Sequence, residues 1–240
     1  DAERLRIMLL GMTDKQALIK KGNLQPNVTP FVRIPQNGRE SLQFIVKQVL
    51  DVGAFGVMFP YVETAEEARA AVAAMRYPQR SDTAPGERQP EGLRGFGSAN
   101  GSWYWGLSVP EYVQRGDVWP LDPKGELLAM IQIETPRGAS NIDSILAVPG
   151  IGVIYIGPND MAQSVGAGNN LEAPEVEEQI QKVLKACLAK KIPCGIIAFT
   201  PQLAAKRLAQ GFTFITVGMD GGMTPIADAT LKVVREAAKR

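Results

Sequence analysis

The amino-acid sequence predicts an α/β fold of the (β/α)₈ barrel type. Two observations predict it: apolar runs of strand length alternate with amphipathic runs of helix length, and acidic residues follow two consecutive apolar runs. In such a barrel all strands are parallel, and active sites lie at the carboxyl ends of the strands. The chain has 240 residues, 45% hydrophobic and 21% charged, which fits a single barrel domain over residues 1–240.

Six segments are predicted as strands, and the two central ones are rich in Ile, Val and Leu. Such runs are typical of parallel strands that are buried on both faces. The segments between them are long enough for the crossover helices that parallel strands require. The predicted strands are residues 29–35, 55–62, 127–134, 151–158, 192–199 and 212–220.

Helices are predicted from apolar stripes and from capping residues. Residues 1–21 have apolar side chains at helical spacing, with Asp1 as a candidate N-cap. Thr64 and the acidic residues behind it predict a helix start, and Gly53 predicts a helix end. The further predicted helices are residues 38–52, 64–75, 174–191, 200–210 and a final helix after Pro225 that runs to Arg240.

The count of strands falls short of a closed barrel, which needs eight. The two missing strands would precede residue 1, so we expect the chain to be incomplete at its N-terminus. Two alternatives stay open: another chain supplies the missing segment, or the barrel is left open.

Residues 77–126 interrupt the alternation of strand and helix. The segment is rich in Gly, Pro, Arg and Ser and contains all three tryptophans, Trp103, Trp105 and Trp119. Aromatic side chains need a surface to pack on, which argues against disorder. We expect a folded excursion that covers the barrel mouth or packs against a neighbouring subunit, with direct substrate contact as the alternative. Val109–Arg115 is a candidate short helix within it.

Composition bears on partners and location. The net charge is +1 without long charged runs, so nothing indicates a nucleic-acid partner, and no apolar run approaches the length of a membrane span. Cys187 and Cys194, the only cysteines, lie in apolar settings and predict buried free thiols in a reducing cytoplasm. Histidine, the commonest proton-transfer residue of enzymes, is absent.

Two carboxylates are expected to lie together at the barrel mouth. Glu134 ends one predicted strand, and Asp160 follows the next strand by two residues. Because parallel strands end at one edge of a sheet, these side chains should be neighbours. Carboxylate oxygens suit a hard divalent cation such as Mg²⁺ or Mn²⁺. The alternative is that the two residues cap helices or pair with nearby arginines.

Arg33 is a further candidate, near the carboxyl end of the strand 29–35 and flanked by apolar residues. A buried cation costs free energy unless it has an anionic partner, and a substrate carboxylate or an enolate oxygen would be one. The alternatives are an arginine that extends to the barrel rim or one paired with a structural acid.

The segment IQIET, followed by a strand that ends in GPND and a short turn to glycine, resembles the HpcH/HpaI aldolases. The resemblance extends over nearly the whole chain. Members of this family are class II, metal-dependent, pyruvate-specific aldolases. The resemblance therefore implies a carbon–carbon lyase that cleaves 4-hydroxy-2-oxo acids to pyruvate and an aldehyde, with Mg²⁺, Mn²⁺ or Co²⁺ as cofactor. It also implies a homo-oligomer, a hexamer, without nucleic-acid or membrane partners.

The resemblance also implies roles for individual residues. Glu134 and Asp160 would be metal ligands, and Arg33 would stabilise the enolate oxygen. Gln132 would hold water or ligand beside the metal. The family usually has a small residue where this chain has an asparagine in GPND. The backbone N–H groups expected to bind the pyruvate carboxylate are those around Gly157, Pro158, Asn159 and Asp160.

One departure from the family concerns its general base. That base works through a histidine in a Glu-His segment, which would lie before residue 1, so we expect the 240-residue chain to be inactive, or nearly so, as an aldolase. Two other functions stay open. One is a CoA-ester lyase related to the citrate lyase β-subunit and malyl-CoA lyases, which share the barrel and an ETPxG-like stretch. The other is a non-catalytic barrel that binds an oxo acid or a metal. The GPND loop favours the aldolase.

Overall fold

The computed structural model of the protein describes residues 1–22, 28–36, 42–219 and 222. Its centre is a sheet of six parallel strands, and their order in space is their order along the chain. The α/β class and the six predicted strands are confirmed, although each observed strand is shorter and residue 220 lies outside the described residues. The strands are β1 Phe31–Arg33, β2 Gly56–Phe59, β3 Leu128–Ile133, β4 Ile151–Ile156, β5 Cys194–Ile197 and β6 Phe214–Thr216.

Helices occupy the connections between the strands, and among those described none is both long and apolar enough to cross a membrane. The predicted final helix and residues 38–41 lie outside the described part of the chain. The helices are α1 Ala2–Gly11, α2 Lys15–Lys21, α3 Leu42–Asp51, α4 Ala65–Met75, α5 Ala99–Trp105, α6 Val109–Arg115, α7 Pro136–Ser140, α8 Ile142–Ile145, α9 Pro158–Ser164, α10 Pro174–Lys190 and α11 Pro201–Gln210.

Residues 1–21 are largely helical, as predicted, but they form two helices with a break between them. Asp1 caps α1 as predicted, accepting from the Glu3 N–H at 3.0 Å. Asp14 starts α2 by accepting from the Ala17 N–H at 3.0 Å. The first N–H groups of a helix have no carbonyl partner within it, so a side chain that binds one favours a new helix start.

The sheet is curled, and its two edge strands approach each other through aromatic rings. Phe31 of β1 and Phe214 of β6 meet edge to face, with centroids 6.3 Å apart, and Tyr155 of β4 meets Phe214 at 6.1 Å. Because β1 and β6 are opposite edges, rings that meet must lie on the concave side. Glycine makes room for this cluster: a β-carbon on Gly195 would lie 2.8 Å from the Tyr155 ring.

The convex side of the sheet packs against the helices and forms the main apolar core. Alternate residues of the central strands point into it, among them Ile131 and Ile133 of β3 and Ile154 of β4, all fully buried. Burying such a side chain stabilises the fold by about 1.5–3 kcal/mol. The other residues of these strands, including Met130 and Gln132, therefore face the concave side.

The two thiols lie in the buried layer between α10 and the sheet. Cys187 in α10 and Cys194 in β5 are both free and buried, which confirms the prediction. A hydrogen bond with Cys187, together with burial, raises the pKa of the Cys194 thiol well above its usual range. The cytoplasmic location stays a prediction.

The excursion 77–126 lies at the N-terminal ends of the strands, opposite the carboxyl ends where the mouth was predicted. Trp105 donates its indole N–H to the Gly53 carbonyl at 2.8 Å and stacks on Phe55, with centroids 4.2 Å apart. The reason is topological, since the excursion connects a helix to the strand that follows it. The prediction that it covers the mouth or contacts substrate within this chain is wrong, whereas packing against a neighbouring subunit stays a prediction.

A buried arginine in this excursion forms an ion pair with α3. Arg94 is 1% exposed and donates to Asp51 at 2.8 Å and to the Tyr112 hydroxyl at 3.0 Å. Its guanidinium also lies 4.4 Å from the centroid of the Tyr77 ring. One carboxylate and two aromatic rings therefore compensate the buried charge. The short helix predicted over Val109–Arg115 is confirmed as α6, which carries Tyr112.

Candidate active site

Glu134 and Asp160 lie at the same edge of the sheet, as the sequence predicts. Strands β3 and β4 are paired in parallel with Ile133 opposite Ile156, so the segments that follow them begin side by side. Glu134 is 2% exposed, whereas Asp160, in the first turn of α9, is half-buried. The two carboxyl groups lie near each other, since one residue, Tyr61, hydrogen-bonds to both.

The ionisation of Glu134 shows how this pair responds to its surroundings. Burial raises the pKa of Glu134 to about 7, and the neighbouring Asp160 acts in the same direction. The backbone N–H of Tyr61 and the charge of Arg33 lower the pKa, but they do not outweigh burial. A cation between the carboxylates would offset both their desolvation and their repulsion. The donor set therefore fits a hard divalent cation.

No group of three or more His, Cys, Asp or Glu side chains suited to a metal occurs in the described part of the chain, so the pair would be the only charged ligands from these residues. The groups that hydrogen-bond to the two carboxylates are neutral. Gln132 donates its amide N–H to Glu134 Oε1 at 2.7 Å. The other amide atom, Gln132 Oε1, is buried without a partner, so it is available to accept from a water or a ligand.

The turn between β4 and α9 holds the backbone groups that were predicted to bind a carboxylate. Gly157 donates its N–H to the Ile133 carbonyl at 3.1 Å, and Pro158 has no N–H. Asn159 and Asp160 are the second and third residues of α9, where N–H groups have no carbonyl partner within the helix. The structure thus narrows the predicted set of donors to these two N–H groups. The Asn159 side chain is exposed.

Arg33 ends β1, an edge strand, and its side chain is exposed. This exposure agrees with the alternative of an arginine at the barrel rim, since β1 pairs only with β2 among the described strands. Arg33 lies two residues after Phe31, whose ring is on the concave side, so both residues share that face of β1, and the charge of Arg33 lowers the pKa of Glu134. Arg33 is therefore a cation at the rim of the mouth, and contact with an enolate oxygen stays a prediction.

Tyr61, just after β2, is a site residue that the sequence analysis missed. Its backbone N–H donates to Glu134 Oε2 at 2.9 Å, and its hydroxyl donates to Asp160 Oδ1 at 2.7 Å. The hydrogen bond to Asp160, together with burial, raises the pKa of Tyr61 to about 12, so the hydroxyl remains a donor. Its partners lie 73 and 99 residues away in the chain. Short-range patterns carry no signal for contacts of that kind.

Comparison with known proteins agrees with this geometry. Residues 15–225 match the family model described as HpcH/HpaI aldolase/citrate lyase. A 5-keto-4-deoxy-D-glucarate aldolase from Citrobacter koseri is 35% identical over 194 residues, which cover 81% of this chain and 66% of that protein. The chain thus spans about two thirds of the length of that curated relative.

Solved structures show the same likeness. An HpcH/HpaI aldolase/citrate lyase family protein from Burkholderia cenocepacia J2315 superposes with a TM-score of 0.74 at 28% identity, over 99% of this chain and 81% of that one. An HpcH/HpaI aldolase from Desulfitobacterium hafniense DCB-2 gives a TM-score of 0.67 at 28% identity, over 92% and 76%. The resemblance inferred from IQIET and GPND is confirmed.

Proposed function

Because the chain belongs to the HpcH/HpaI aldolase/citrate lyase family, we propose that it forms the metal-binding and enolate-stabilising part of a class II aldolase. We take its six strands as part of a (β/α)₈ barrel, the fold that the sequence predicts. The observation that carries the proposal is the convergence of Glu134 and Asp160 at the carboxyl ends of β3 and β4, with a neutral donor shell around them.

The reaction would be the reversible cleavage of a 4-hydroxy-2-oxo acid. The bond between carbons 3 and 4 breaks, the hydroxyl on carbon 4 loses its proton and becomes an aldehyde, and the electron pair remains on carbon 3 as the enolate of pyruvate. Protonation of carbon 3 then gives pyruvate. The relatives named 5-keto-4-deoxy-D-glucarate aldolases suggest a sugar diacid as substrate. Their names also favour this reaction over the cleavage of a CoA ester.

Different residues of the chain would bind the metal, the keto oxygen and the carboxylate of the substrate. A divalent cation at Glu134 and Asp160, whether Mg²⁺, Mn²⁺ or Co²⁺, would act as a Lewis acid on the keto oxygen, an effect worth several kcal/mol. Arg33 would donate to the same oxygen as negative charge develops on it. The N–H groups of Asn159 and Asp160 would bind the substrate carboxylate. Since the chain contains no histidine, we assign these residues to binding and enolate stabilisation, not to proton transfer.

The test is a calorimetric titration of the chain with Mn²⁺, followed by oxalate, a planar dianion that resembles the enolate of pyruvate. We expect one Mn²⁺ site, and oxalate binding that requires Mn²⁺. Glu134→Gln and Asp160→Asn preserve the shape of each side chain but remove its charge, so each should weaken Mn²⁺ binding by about 100-fold or more, beyond the usual cost of losing an outer-shell partner.

Two controls make the titration specific. Glu178→Gln removes an exposed carboxylate of α10 and should leave Mn²⁺ binding unchanged. Acetyl-CoA should not bind with or without the metal. Unchanged Mn²⁺ affinity in both site variants would refute the site, and saturable acetyl-CoA binding would favour a CoA-ester lyase. A homo-oligomer, a hexamer by resemblance, stays a prediction that light scattering can check.

A further inference from the structure

Tyr61 connects the two carboxylates of the candidate metal site. Among the described residues, it is the only one that hydrogen-bonds to both: its N–H holds Glu134 Oε2, and its hydroxyl holds Asp160 Oδ1. The remaining oxygen of Glu134 accepts from Gln132. A carboxylate oxygen has two lone pairs, so each bonded oxygen can still bind a cation. These hydrogen bonds therefore fix the orientation of the carboxylates without occupying the site.

The backbone of Tyr61 is in an uncommon conformation. Its φ is +55°, in the left-handed region that residues with a β-carbon rarely adopt. Such a conformation costs about 1–3 kcal/mol and persists where the surrounding structure imposes it. Here the next residue, Val62, donates its N–H to the Gln132 carbonyl at 3.2 Å, which fixes the chain just after the turn. The strained turn is what lets the N–H and the hydroxyl of one residue reach two different carboxylates.

The chemical character of Tyr61 also suits a cation site. Two neighbouring carboxylates repel each other, so they need donors to keep them in place. An arginine or lysine at this position would supply donors but would also neutralise the charge that attracts a cation. A tyrosine hydroxyl holds Asp160 and leaves both negative charges available to the metal.

We propose that Tyr61 is a positioning residue of this site: its hydroxyl sets the orientation of Asp160, and its main-chain N–H sets that of Glu134. The inference rests on the proposed function, because it assumes that the two carboxylates bind a divalent cation. With this positioning role, both the ligand geometry of the bound ion and its affinity depend on the tyrosine hydroxyl.

The test compares Tyr61→Phe with a matched control. Tyr61→Phe removes only the hydroxyl. Tyr155→Phe removes a hydroxyl that also lies on the concave side of the sheet but donates to Thr216 at 2.8 Å instead of to a carboxylate. We expect Tyr61→Phe to weaken Mn²⁺ binding by about 10- to 100-fold, the range for losing a partner that orients a ligand. Its electron paramagnetic resonance spectrum of bound Mn²⁺ should also change, because that spectrum reports the symmetry of the ligands. Tyr155→Phe should match the wild type in both measurements.

A second variant separates positioning from folding. Tyr61→Gly accepts a positive φ without strain, so it should fold and keep the main-chain bond to Glu134 while losing the side chain. It should show the same loss of affinity and the same spectral change as Tyr61→Phe. If either variant, folded by circular dichroism, binds Mn²⁺ with wild-type affinity and spectrum, the positioning role is wrong. If the wild type binds no Mn²⁺ at all, the proposed function fails first, and the two failures are thereby distinguished.

Discussion

Gly157 and Glu134 lie so close together that a β-carbon on Gly157 would come within 2.7 Å of Glu134 Cγ. The same β-carbon would lie 2.9 Å from Gln132 Nε2. The φ of Gly157 is −97°, which any residue can adopt, so the backbone does not require glycine here. The turn after β4 therefore begins with glycine because side chains from β3 fill the space beside it.

Gly157→Ala should weaken Mn²⁺ binding by about tenfold or more, because the added methyl group displaces Glu134 and its partner Gln132. Gly86→Ala is the matched control, since nothing lies within 4 Å of a β-carbon there. Calorimetric titration of both variants measures the effect. Equal affinities for Mn²⁺ would show that the close approach of Gly157 and Glu134 has no bearing on the site.

Arg33→Lys should weaken the binding of oxalate to the Mn²⁺-loaded protein by about 10- to 100-fold, the equivalent of losing one hydrogen bond to a charged group. Lysine keeps the charge but not the planar fork that suits an oxyanion. Mn²⁺ affinity without oxalate should hardly change. Arg69→Lys, an exposed residue of α4, serves as the control for the same substitution. If Arg33→Lys binds oxalate with wild-type affinity, Arg33 does not contact the ligand.

Two arginine–aspartate pairs should differ widely in their contribution to stability. The side chain of Arg94 is 0% exposed in its pair with Asp51, whereas that of Arg80 is 84% exposed in its pair with Asp82. Arg94→Met should lower the free energy of unfolding by about 1.5–3 kcal/mol, because it removes the hydrogen bonds to Asp51 and to the Tyr112 hydroxyl, whereas Lys47 still pairs with Asp51. Arg80→Met should hardly change the stability, because water screens an exposed ion pair. Urea denaturation measures both, and similar losses in the two variants would contradict the anchoring role of Arg94.

The pair of Glu177 and Arg207 should make stability depend on pH in the acidic range. Arg207 donates to the two oxygens of Glu177 at 2.7 and 2.8 Å. Burial raises the pKa of Glu177, but hydrogen bonds from Arg207 and Gln181 outweigh it and lower the pKa from 4.5 to about 2. Because the pKa is lower in the folded state, the stabilisation is complete above about pH 4.5 and is lost as pH falls towards 2.

Glu177→Gln should therefore be less stable than the wild type at pH 7, and the difference should shrink as pH is lowered from 4.5 towards 2. The neighbouring Glu178 is exposed, so Glu178→Gln should follow the wild-type curve. Urea denaturation of the wild type and of both variants at pH 7, 4 and 3 gives the free energy of unfolding of each protein as a function of pH. A constant gap between Glu177→Gln and the wild type across this range would rule out the assigned titration.

The sequence predicted the order of elements because each strand and helix carries its own local pattern. The pair of Glu134 and Asp160 followed from that order, since parallel strands bring their ends together. The break at Asp14 was missed although the signal was present: an aspartate directly before a helical run is an N-cap. The continuous apolar spacing across residues 1–21 concealed it.

The placement of residues 77–126 was also predictable from topology, because a segment that joins a helix to the next strand lies at the N-terminal ends of the strands. The sequence analysis instead expected the segment at the mouth, because its aromatic content suggested a role there. Tyr61 is different, since its role depends on a left-handed turn and on contacts with two distant strand ends. No local pattern around PYVET predicts either of them.

The burial of Cys187 and Cys194 has a practical consequence for experiments on this chain. The thiolate is the nucleophile that adds to a maleimide, so two buried thiols, one with a raised pKa, should not react with this reagent while the protein is folded. A cysteine introduced by Asn159→Cys, at an exposed position of the mouth, would then be the single point of attachment. A solvent-sensitive fluorophore placed there could follow the arrival of a ligand in real time, without any native cysteine having to be replaced.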